Sequence, residues 1–374
     1  MWYRPLLLLL ALLFLISCAA ERAPEPEVAS APQADCEIVP DPSPGQAWEL
    51  FLCLNQPVAQ PGSKRWETDF RQTSTIFLPT GEKPPAWGEA QDPCEFPPGE
   101  VGHNLDTAIQ ADGQVLLDIW DVDVRYQLLM DQTAFEYILQ RGFYNVNGQE
   151  QAARDGKPAD FPLESSELKT SWIWLGTDQS KYDQVKDSYY IVNACFQQFN
   201  TAGQPVGWEN GLAALTGMHI SIKNRPDWLW ITFENVHNPQ FTQVTLKLPI
   251  PDDVKQANEE YQARLREDGS VFANYQLDGT QIHFTEGNDP STAILLANSQ
   301  IESKFQTQSS CITCHYLASI TPEGEYFNMV DDRGGDVSYY VGDPPDVKGQ
   351  GYTSLDFVWS MKRASRLQQT GSAR

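Results

Sequence analysis

The sequence is short of positive charge. It has 26 lysine and arginine residues against 50 aspartate and glutamate residues, which gives a formal net charge of −24 at pH 7. Clustered basic side chains bind nucleic-acid phosphates, so this balance excludes a nucleic-acid-binding protein and disfavours adhesion to anionic lipid. A basic protein partner would be steered toward such a surface, although the same charge also serves solubility alone.

The sequence also lacks the short motifs of several enzyme classes. It contains no G-x-S-x-G, no phosphate-binding loop, no dinucleotide-binding fingerprint and no internal repeat. After the N-terminal apolar stretch, no run is long enough to span a bilayer. The 374 residues, 41% of them hydrophobic, are sufficient for about two domains.

The N-terminus has the pattern of a signal peptide. Arg4 precedes an unbroken apolar run over Leu6–Ile16, which is too short for a permanent membrane helix. The run ends in the letters LISC, which resemble the lipobox of bacterial lipoproteins. That resemblance implies that Cys18 becomes the lipid-modified first residue and, with Ala19 next, that the protein is anchored on the periplasmic side of the outer membrane. An ordinary secretory peptide is the alternative.

Composition divides the chain into four parts. A signal peptide at 1–17 is followed by a Pro/Glu/Ala-rich linker at 18–46, which proline keeps extended. Residues 47–289 alternate apolar and polar side chains over several stretches and predict a β-rich domain. Residues 290–374 contain the spacing C-x-x-C-H, which is typical of haem attachment, and are the expected haem-binding segment. We expect an α+β fold in which a mainly antiparallel β core packs against a helical C-terminal segment.

Individual stretches predict particular elements. Strands are expected in VLLDIWDVDVRYQLL, SYYIVNACFQQF, MHISIK, DWLWITFENV, FTQVTLKLPI and TQIHFTEG. Helices are expected in QTAFEYILQRGFYN, DDVKQANEEYQARLRED and SLDFVWSMKRASR. A further helix is expected from Asp289 onward, because helical spacing puts several apolar residues on one face: Ile294, Ala297, Ile301 and Phe305.

Two clusters of polar residues allow either a structural or a functional interpretation. Strand alternation places His219 and Lys223 on one face, where a distal acid or base could act, but an ion pair between Lys223 and Glu234 is favoured. The loop MVDDRGGDVSYYVGDPPD carries three carboxylates that lack the spacing of an EF-hand, so a solvated loop is favoured over a calcium site: Asp331, Asp332 and Asp336.

The cysteines fall into three groups. There are seven: Cys18, Cys36, Cys53, Cys94, Cys195, Cys311 and Cys314. If Cys18 carries lipid and the last two carry a cofactor, four remain, and an oxidising compartment favours two disulfides. Three pairings are possible. Proximity in sequence favours Cys36–Cys53 and Cys94–Cys195, and four free thiols are the alternative.

The stretch SSCITCHYLAS contains Cys311, Cys314 and His315 in the spacing C-x-x-C-H. A redox dithiol would want a βαβ context, and a zinc site would want two more ligands at matching spacing. The spacing is typical of haem c attachment. Two thiols one helical turn apart form thioethers with the porphyrin, and His315 binds the iron from one side. The second axial ligand stays open among Met329, Met361, His219, His237 and none.

Several segments together carry a wider resemblance: FYNVNGQ, ELKTSWIWL, GMHISIK, WLWITFENVHN and SSCITCHYLA. The chain resembles c-type cytochromes, and over about residues 140–320 a group of bacterial exported single-haem proteins with a β-rich region before one late C-x-x-C-H. The resemblance implies one haem c on Cys311 and Cys314, with His315 as an iron ligand.

These observations lead to an expected function with two alternatives. The leading expectation is a lipid-anchored periplasmic monohaem cytochrome c that transfers single electrons to or from a basic redox partner. The first alternative is a haem enzyme with an open distal position, acting as a peroxidase or another oxidoreductase. The second is a haem-based sensor in which the β-rich region recognises the ligand.

Overall fold

The centre of the chain folds into one large, mostly antiparallel sheet. The computed structural model describes residues 36, 39–60, 63–89, 94, 96–97, 101–202, 204–244, 247–287, 289–329 and 340–368. The strands of this sheet are β1 (Phe70–Gln72), β2 (His103–Asn104), β3 (Arg125–Asp131), β4 (Ser166–Gly176), β5 (Ile191–Phe199), β6 (Pro205–Ile222), β7 (Leu229–Asn235) and β8 (Tyr275–Gln281).

Strand β6 organises the sheet because it is 18 residues long. It pairs with β4 along one edge, and along the other edge it pairs first with β5 and then with β7. The strand order is β1-β3-β4-β6-β5-β2, and β8 continues outward from β7. Only β2 and β5 run parallel among the described pairs. The expectation of mixed α and β structure with a mainly antiparallel sheet is therefore confirmed.

One face of the sheet, called the apolar face, is mainly hydrophobic. Leu129, Leu168, Ile220 and Ile231 lie opposite one another across β3, β4, β6 and β7. Helices α1 (Pro44–Leu54) and α7 (Asp252–Glu267) cover this face. The ring centroid of Phe51 in α1 lies 4.2 Å from that of Phe233. Removing these side chains from water supplies most of the driving force for folding.

The other face of the same strands carries ionisable and hydroxyl side chains and is called the polar face here. Its members on β4 and β6 are Glu167, Lys169, Ser171, His219 and Ser221. Side chains alternate between the two faces of a strand, so these residues and the apolar row above are immediate sequence neighbours. The C-terminal part of the chain covers the polar face and packs apolar side chains on either side of it.

The remaining helices are short. They are α2 (Arg65–Asp69), α3 (Gln132–Arg141), α4 (Val146–Arg154), α5 (Gln179–Val185), α6 (Asn238–Phe241) and α8 (Cys311–Tyr316). The expected helices at α3 and α7 are confirmed. Helix α3 begins where the Asp131 carboxylate accepts a 2.8 Å hydrogen bond from Ala134 N–H, and it ends at Gly142, whose φ is +69°.

The C-terminal segment is less helical than expected. Residues predicted to start a helix form β10 (Asp289–Ala293), which pairs with β9 (Thr285–Glu286), because the Asp289 carboxylate accepts the Ser291 N–H and hydroxyl. Ala297, Ile301 and Phe305 are buried as expected, but they are held by a succession of turns.

Two further expected elements also differ. In SLDFVWSMKRASR only a 3₁₀ turn over Trp359–Arg363 forms, preceded by the short pair β11 (Ser319–Ile320) and β12 (Thr353–Ser354). FTQVTLKLPI contributes no strand in its described residues, 241–244 and 247–250. Its Leu248 N–H donates instead to the Gln306 side chain at 3.3 Å.

Both expected disulfides are present. Cys36 pairs with Cys53 at a Cα–Cα distance of 5.7 Å, and Cys94 pairs with Cys195 at 5.6 Å. The first bond ties the start of the described chain to α1, and the second ties the segment before β2 to β5. Cys311 and Cys314 are free thiols.

Three expectations fall on residues outside the described ranges: the signal peptide at 1–17, the lipid attachment at Cys18, and the carboxylates of Asp331, Asp332 and Asp336. The helices in the described ranges are all too short or too polar to cross a membrane.

Candidate functional site

Helix α8 presents all three residues of the C-x-x-C-H motif within a single short helix. The Cys311 thiol is buried and lies 3.4 Å from the carbonyl of Leu296, and Cys314 is half-buried. Burial raises the pKa of Cys311 well above its usual value and raises the pKa of Cys314 to about 12. A redox dithiol needs a thiolate at neutral pH, so these buried thiols do not suit that chemistry.

Contacts on both sides hold α8 in place. The Gln281 side chain at the end of β8 accepts the Ile312 N–H at 3.2 Å and donates to the Ser310 hydroxyl at 2.9 Å. From the other side, Trp359 Nε1 donates to the carbonyl of Cys314 at 2.8 Å. The motif is therefore held by strand β8 on one side and by Trp359 on the other.

The imidazole of His315 is fixed in one tautomer. Its Nδ1 lies 2.8 Å from the carbonyl oxygen of Phe357, which can only accept, so Nδ1 carries the hydrogen. Burial lowers the pKa of His315 to about 4, and the ring is neutral at pH 7. Its Nε2 then has a free lone pair. This is the arrangement in which a protein offers histidine to a metal.

The carbonyl that orients His315 belongs to a strained turn. Asp356 and Phe357 have φ values of +54° and +68°, which cost non-glycine residues about 1–3 kcal/mol each. The buried Lys223 ammonium holds this turn through contacts of 2.8 and 2.7 Å with both carboxylate oxygens of Asp356. Phe161 N–H adds a 2.6 Å hydrogen bond to the same carboxylate.

This arrangement corrects the expected ion pair between Lys223 and Glu234. The register of β6 and β7 places Glu234 opposite Gly217, at a distance along the strand from Lys223. Glu234 forms its ion pair with Lys247 and accepts the Ser299 N–H at 3.0 Å. Gly217 lets the side chains of Asn298 and Ser171 lie close to the β6 backbone, because a Cβ at this position would be 2.9 Å from both.

A cavity of about 330 Å³ lies between α8 and the polar face of the sheet. Its size falls at the lower end of the range for ligand and cofactor sites. Cys311, Cys314 and His315 all line it. Its other walls come from the polar face and from the C-terminal segment: Leu128, Glu167, Leu168, Lys169, His219, Ser221, Trp230, Glu302, Phe305, Met329, Trp359, Lys362 and Arg363 among them.

Two of the four candidate axial ligands line this cavity. They are His219 and Met329, of which His219 presents its Nε2 to the Glu302 carboxylate at 3.2 Å. Met361 is fully buried in a neighbouring apolar cluster, and His237 lies beside Gln240 at the start of α6; neither lines the cavity.

Five ionisable residues of the cavity were not predicted from the sequence: Glu167, Lys169, Glu302, Lys362 and Arg363. Burial raises the pKa of Glu167 to about 7, and its carboxylate accepts a hydrogen bond from Ser360. Burial raises the pKa of Glu302, but His219, Lys169 and the Asn298 N–H together outweigh burial, so the pKa of Glu302 lies below its usual value. The alternation in SELKTSW was a signal that Glu167 and Lys169 share a face.

The arrangement offers two thiols and one imidazole nitrogen to a shared cavity. Within the described ranges, no three or more His, Cys, Asp or Glu side chains form a group that could hold a metal ion by themselves, so a four-ligand zinc site has no support there. The chemistry of the site has to be inferred from its own residues, because no family model, curated protein or solved structure matches this chain.

Proposed function

We propose that this protein is a monohaem c-type cytochrome, exported and lipid-anchored through Cys18 on the periplasmic side of the outer membrane, that transfers single electrons. The observation that carries the proposal is the convergence of Cys311, Cys314 and the free Nε2 of His315 on one cavity. Covalent haem attachment needs these three groups together, and it needs the thiols to be free.

The residues present fit a haem. Cys311 and Cys314 would hold the porphyrin through thioethers, and His315 would bind the iron. Leu128, Phe305 and Trp359 supply apolar contact, while Lys362 and Arg363 suit the carboxylates of the porphyrin. When bound, the group supplies an iron that cycles between the ferrous and ferric states.

The chain's own residues have definite tasks in this proposal. Phe357 keeps the hydrogen on Nδ1 of His315, so the lone pair stays on Nε2. Trp230 packs against the same imidazole, with ring centroids 4.3 Å apart, and limits its rotation. The acidic surface, with a net charge of −24, favours approach of a basic redox partner.

The polar face supports a second candidate, a haem enzyme or sensor with an open axial position. His219 and Glu302 form a pair at 3.2 Å inside the cavity, and Lys169 lies beside them. A simple electron carrier does not need acid–base groups next to its iron, whereas peroxide or oxygen chemistry does. Met329 as a sixth ligand would favour electron transfer, and a five-coordinate iron would favour the second candidate.

Cofactor attachment can be tested with paired cysteine variants. The protein is co-produced with a haem c maturation system and examined on a haem-stained denaturing gel. We expect stain for the wild type and none for the double variant Cys311→Ser/Cys314→Ser. The matched control is Cys36→Ser/Cys53→Ser, which removes a disulfide and should keep the stain. An unstained wild type would refute the proposal.

The iron ligand can be tested by spectroscopy of purified protein. His315→Ala should retain the thioethers but change the optical spectrum and the electron paramagnetic resonance signal of the ferric state. His283→Ala, an exposed histidine outside the cavity, is the control and should leave both spectra unaltered. If His315→Ala also leaves both unaltered, the assignment of His315 is wrong. The wild-type spin state decides between the two candidates.

A further inference from the structure

The cavity differs in charge from the rest of the chain. The cavity is lined by three basic side chains, those of Lys169, Lys362 and Arg363, and by two carboxylates, those of Glu167 and Glu302. The pKa of Glu167 is raised by burial to about 7, so this carboxyl carries only part of a negative charge at neutral pH. A chain with a net charge of −24 therefore encloses a cavity without an excess of negative charge.

The two carboxylates already have partners. Glu302 faces His219 at 3.2 Å and accepts the Asn298 N–H at 2.9 Å. Glu167 accepts from the Ser360 hydroxyl. Arg363, one of the basic residues, forms an ion pair with Asp106 at the mouth of the cavity.

Lys169 is different. It lies opposite His219 on β6 and opposite Leu128 on β3, in the middle of the polar face. Its Nζ is 5.3 Å from the centre of the Tyr126 ring. Among the described residues, no carboxylate oxygen lies within 4 Å of this nitrogen and no acceptor is hydrogen-bonded to it. The pKa of Lys169 lies below its usual value because of burial, and the Glu302 carboxylate opposes part of this shift.

The Lys169 side chain is only partly buried, and its ammonium lines the cavity without a hydrogen-bond acceptor among the described residues. A small anion entering the cavity would supply the missing acceptor, and a charge-assisted hydrogen bond is stronger where water is excluded.

We propose that Lys169 is an anion-binding residue of this cavity, and that its ligand class is a small anion that also binds the iron. The inference rests on the proposed haem, in the second form proposed above, in which one axial position of the iron is open. The anion is small because the cavity is only about 330 Å³ and the porphyrin would occupy most of it. Lys169 attracts the anion by its charge, while His219 and Glu302 form the adjoining wall.

The experiment compares charged and neutral ligands of the ferric holoprotein. Azide and fluoride are the anionic probes and imidazole is the neutral one, each titrated and followed by the optical spectrum. For Lys169→Met we expect azide and fluoride affinities to fall at least tenfold, with imidazole affinity within twofold of the wild type. Lys169→Arg should retain most of the anion affinity. Lys255→Met, at an exposed lysine on α7, is the matched control.

Several results would overturn the inference. Equal changes for azide and imidazole would mean that Lys169 only shapes the cavity. Tighter binding of all probes, with a change of spin state before any ligand is added, would make Lys169 itself an iron ligand. A wild-type iron that binds neither azide nor fluoride would mean that no anion enters. A colourless wild type would refute the proposed function together with this inference, whereas unchanged azide affinity in coloured Lys169→Met would refute this inference alone.

Discussion

Two neighbouring rows of side chains cross the same four strands and face opposite sides of the sheet. The apolar row is Leu129, Leu168, Ile220 and Ile231, and the polar row is Leu128, Lys169, His219 and Thr232. The rows differ by one residue along each strand, yet one meets the helices α1 and α7 while the other meets the C-x-x-C-H cavity. A single sheet thus separates the residues that stabilise the fold from those that serve the site.

The difference shows how the protein keeps ionisable groups inside. Burying a charge is costly unless it has a partner, and most charges beneath the C-terminal segment do: Glu302 has His219, and Lys223 has Asp356. Lys169 lines the cavity with no carboxylate of the described residues within 4 Å of its ammonium. Local rules of folding are broken most often where a protein has a function.

The largest expected effect comes from removing a buried partner on the polar side. Lys223→Met should lower the free energy of unfolding by about 3–5 kcal/mol, since it leaves the Asp356 carboxylate buried without its cation. It should also perturb the spectrum of the site, because the same turn presents the Phe357 carbonyl to His315. Urea unfolding measures the first effect.

The control for this change is Lys255→Met. Lys255 pairs with Asp252 at 2.8 Å on the exposed surface of α7, where solvent screens the pair and its contribution to stability is small. If the two variants lose similar amounts of unfolding free energy, the buried Lys223–Asp356 pair stabilises the protein no more than an exposed pair does.

The next effect contrasts two neighbours on β6. Ile220→Ala should cost about 2–5 kcal/mol, because it opens a hole in the apolar face. Ser221→Ala, on the polar face, loses one hydrogen bond to the Glu167 carbonyl and should cost less than about 1.5 kcal/mol. Urea unfolding of both variants measures the two losses of unfolding free energy. Equal costs would contradict the division of labour between the faces.

The smallest expected effect is a change in the pH dependence of the free energy of unfolding. Burial raises the pKa of Glu167 from its ordinary value of 4.5 to about 7, so the folded protein holds a proton there that the unfolded chain has lost. Wild-type stability should therefore fall as pH rises from about 4.5 to 7. Glu167→Gln should flatten part of this slope, and Asp131, whose pKa burial raises to about 6, accounts for another part.

Urea unfolding at pH 5 and at pH 8 checks this prediction. The variant should gain stability over the wild type at pH 8, on the order of 1–3 kcal/mol, and gain less at pH 5. Identical pH slopes for the variant and the wild type would show that Glu167 is not protonated in the folded protein.

Local patterns predicted much of this structure. The helical spacing in α7 and the strand patterns of β5 and β7 depend on residues close together in the sequence, and the expected helix and strands are confirmed. The expected disulfides are confirmed as well, although Cys94 and Cys195 are 101 residues apart. The helix expected after Asp289 did not form, because its polar residues are captured elsewhere: the Asn298 amide donates to Thr232 and to the Phe233 carbonyl, both at 2.9 Å. Such contacts join residues far apart in the chain.

The same limit explains what was missed at the site. Lys169 and Glu302 are more than a hundred residues apart in sequence, and only the folded sheet and the covering segment bring them to one cavity. The mistaken Lys223–Glu234 pair came from assuming a register for β6 and β7. Spacing within one helix turn, as in Cys311 and Cys314, is readable from the sequence, whereas register is not.

The polar face also has a consequence for the order of events during biosynthesis. A polypeptide is made from its N-terminus, so all eight strands of the large sheet exist before residues 294–363 arrive to cover them. A sheet with an uncovered apolar surface would tend to aggregate in that interval. Lysine, histidine, glutamate and serine there tolerate contact with water, and so the sheet can wait uncovered until the last stretch, which carries Cys311 and Cys314, docks on it.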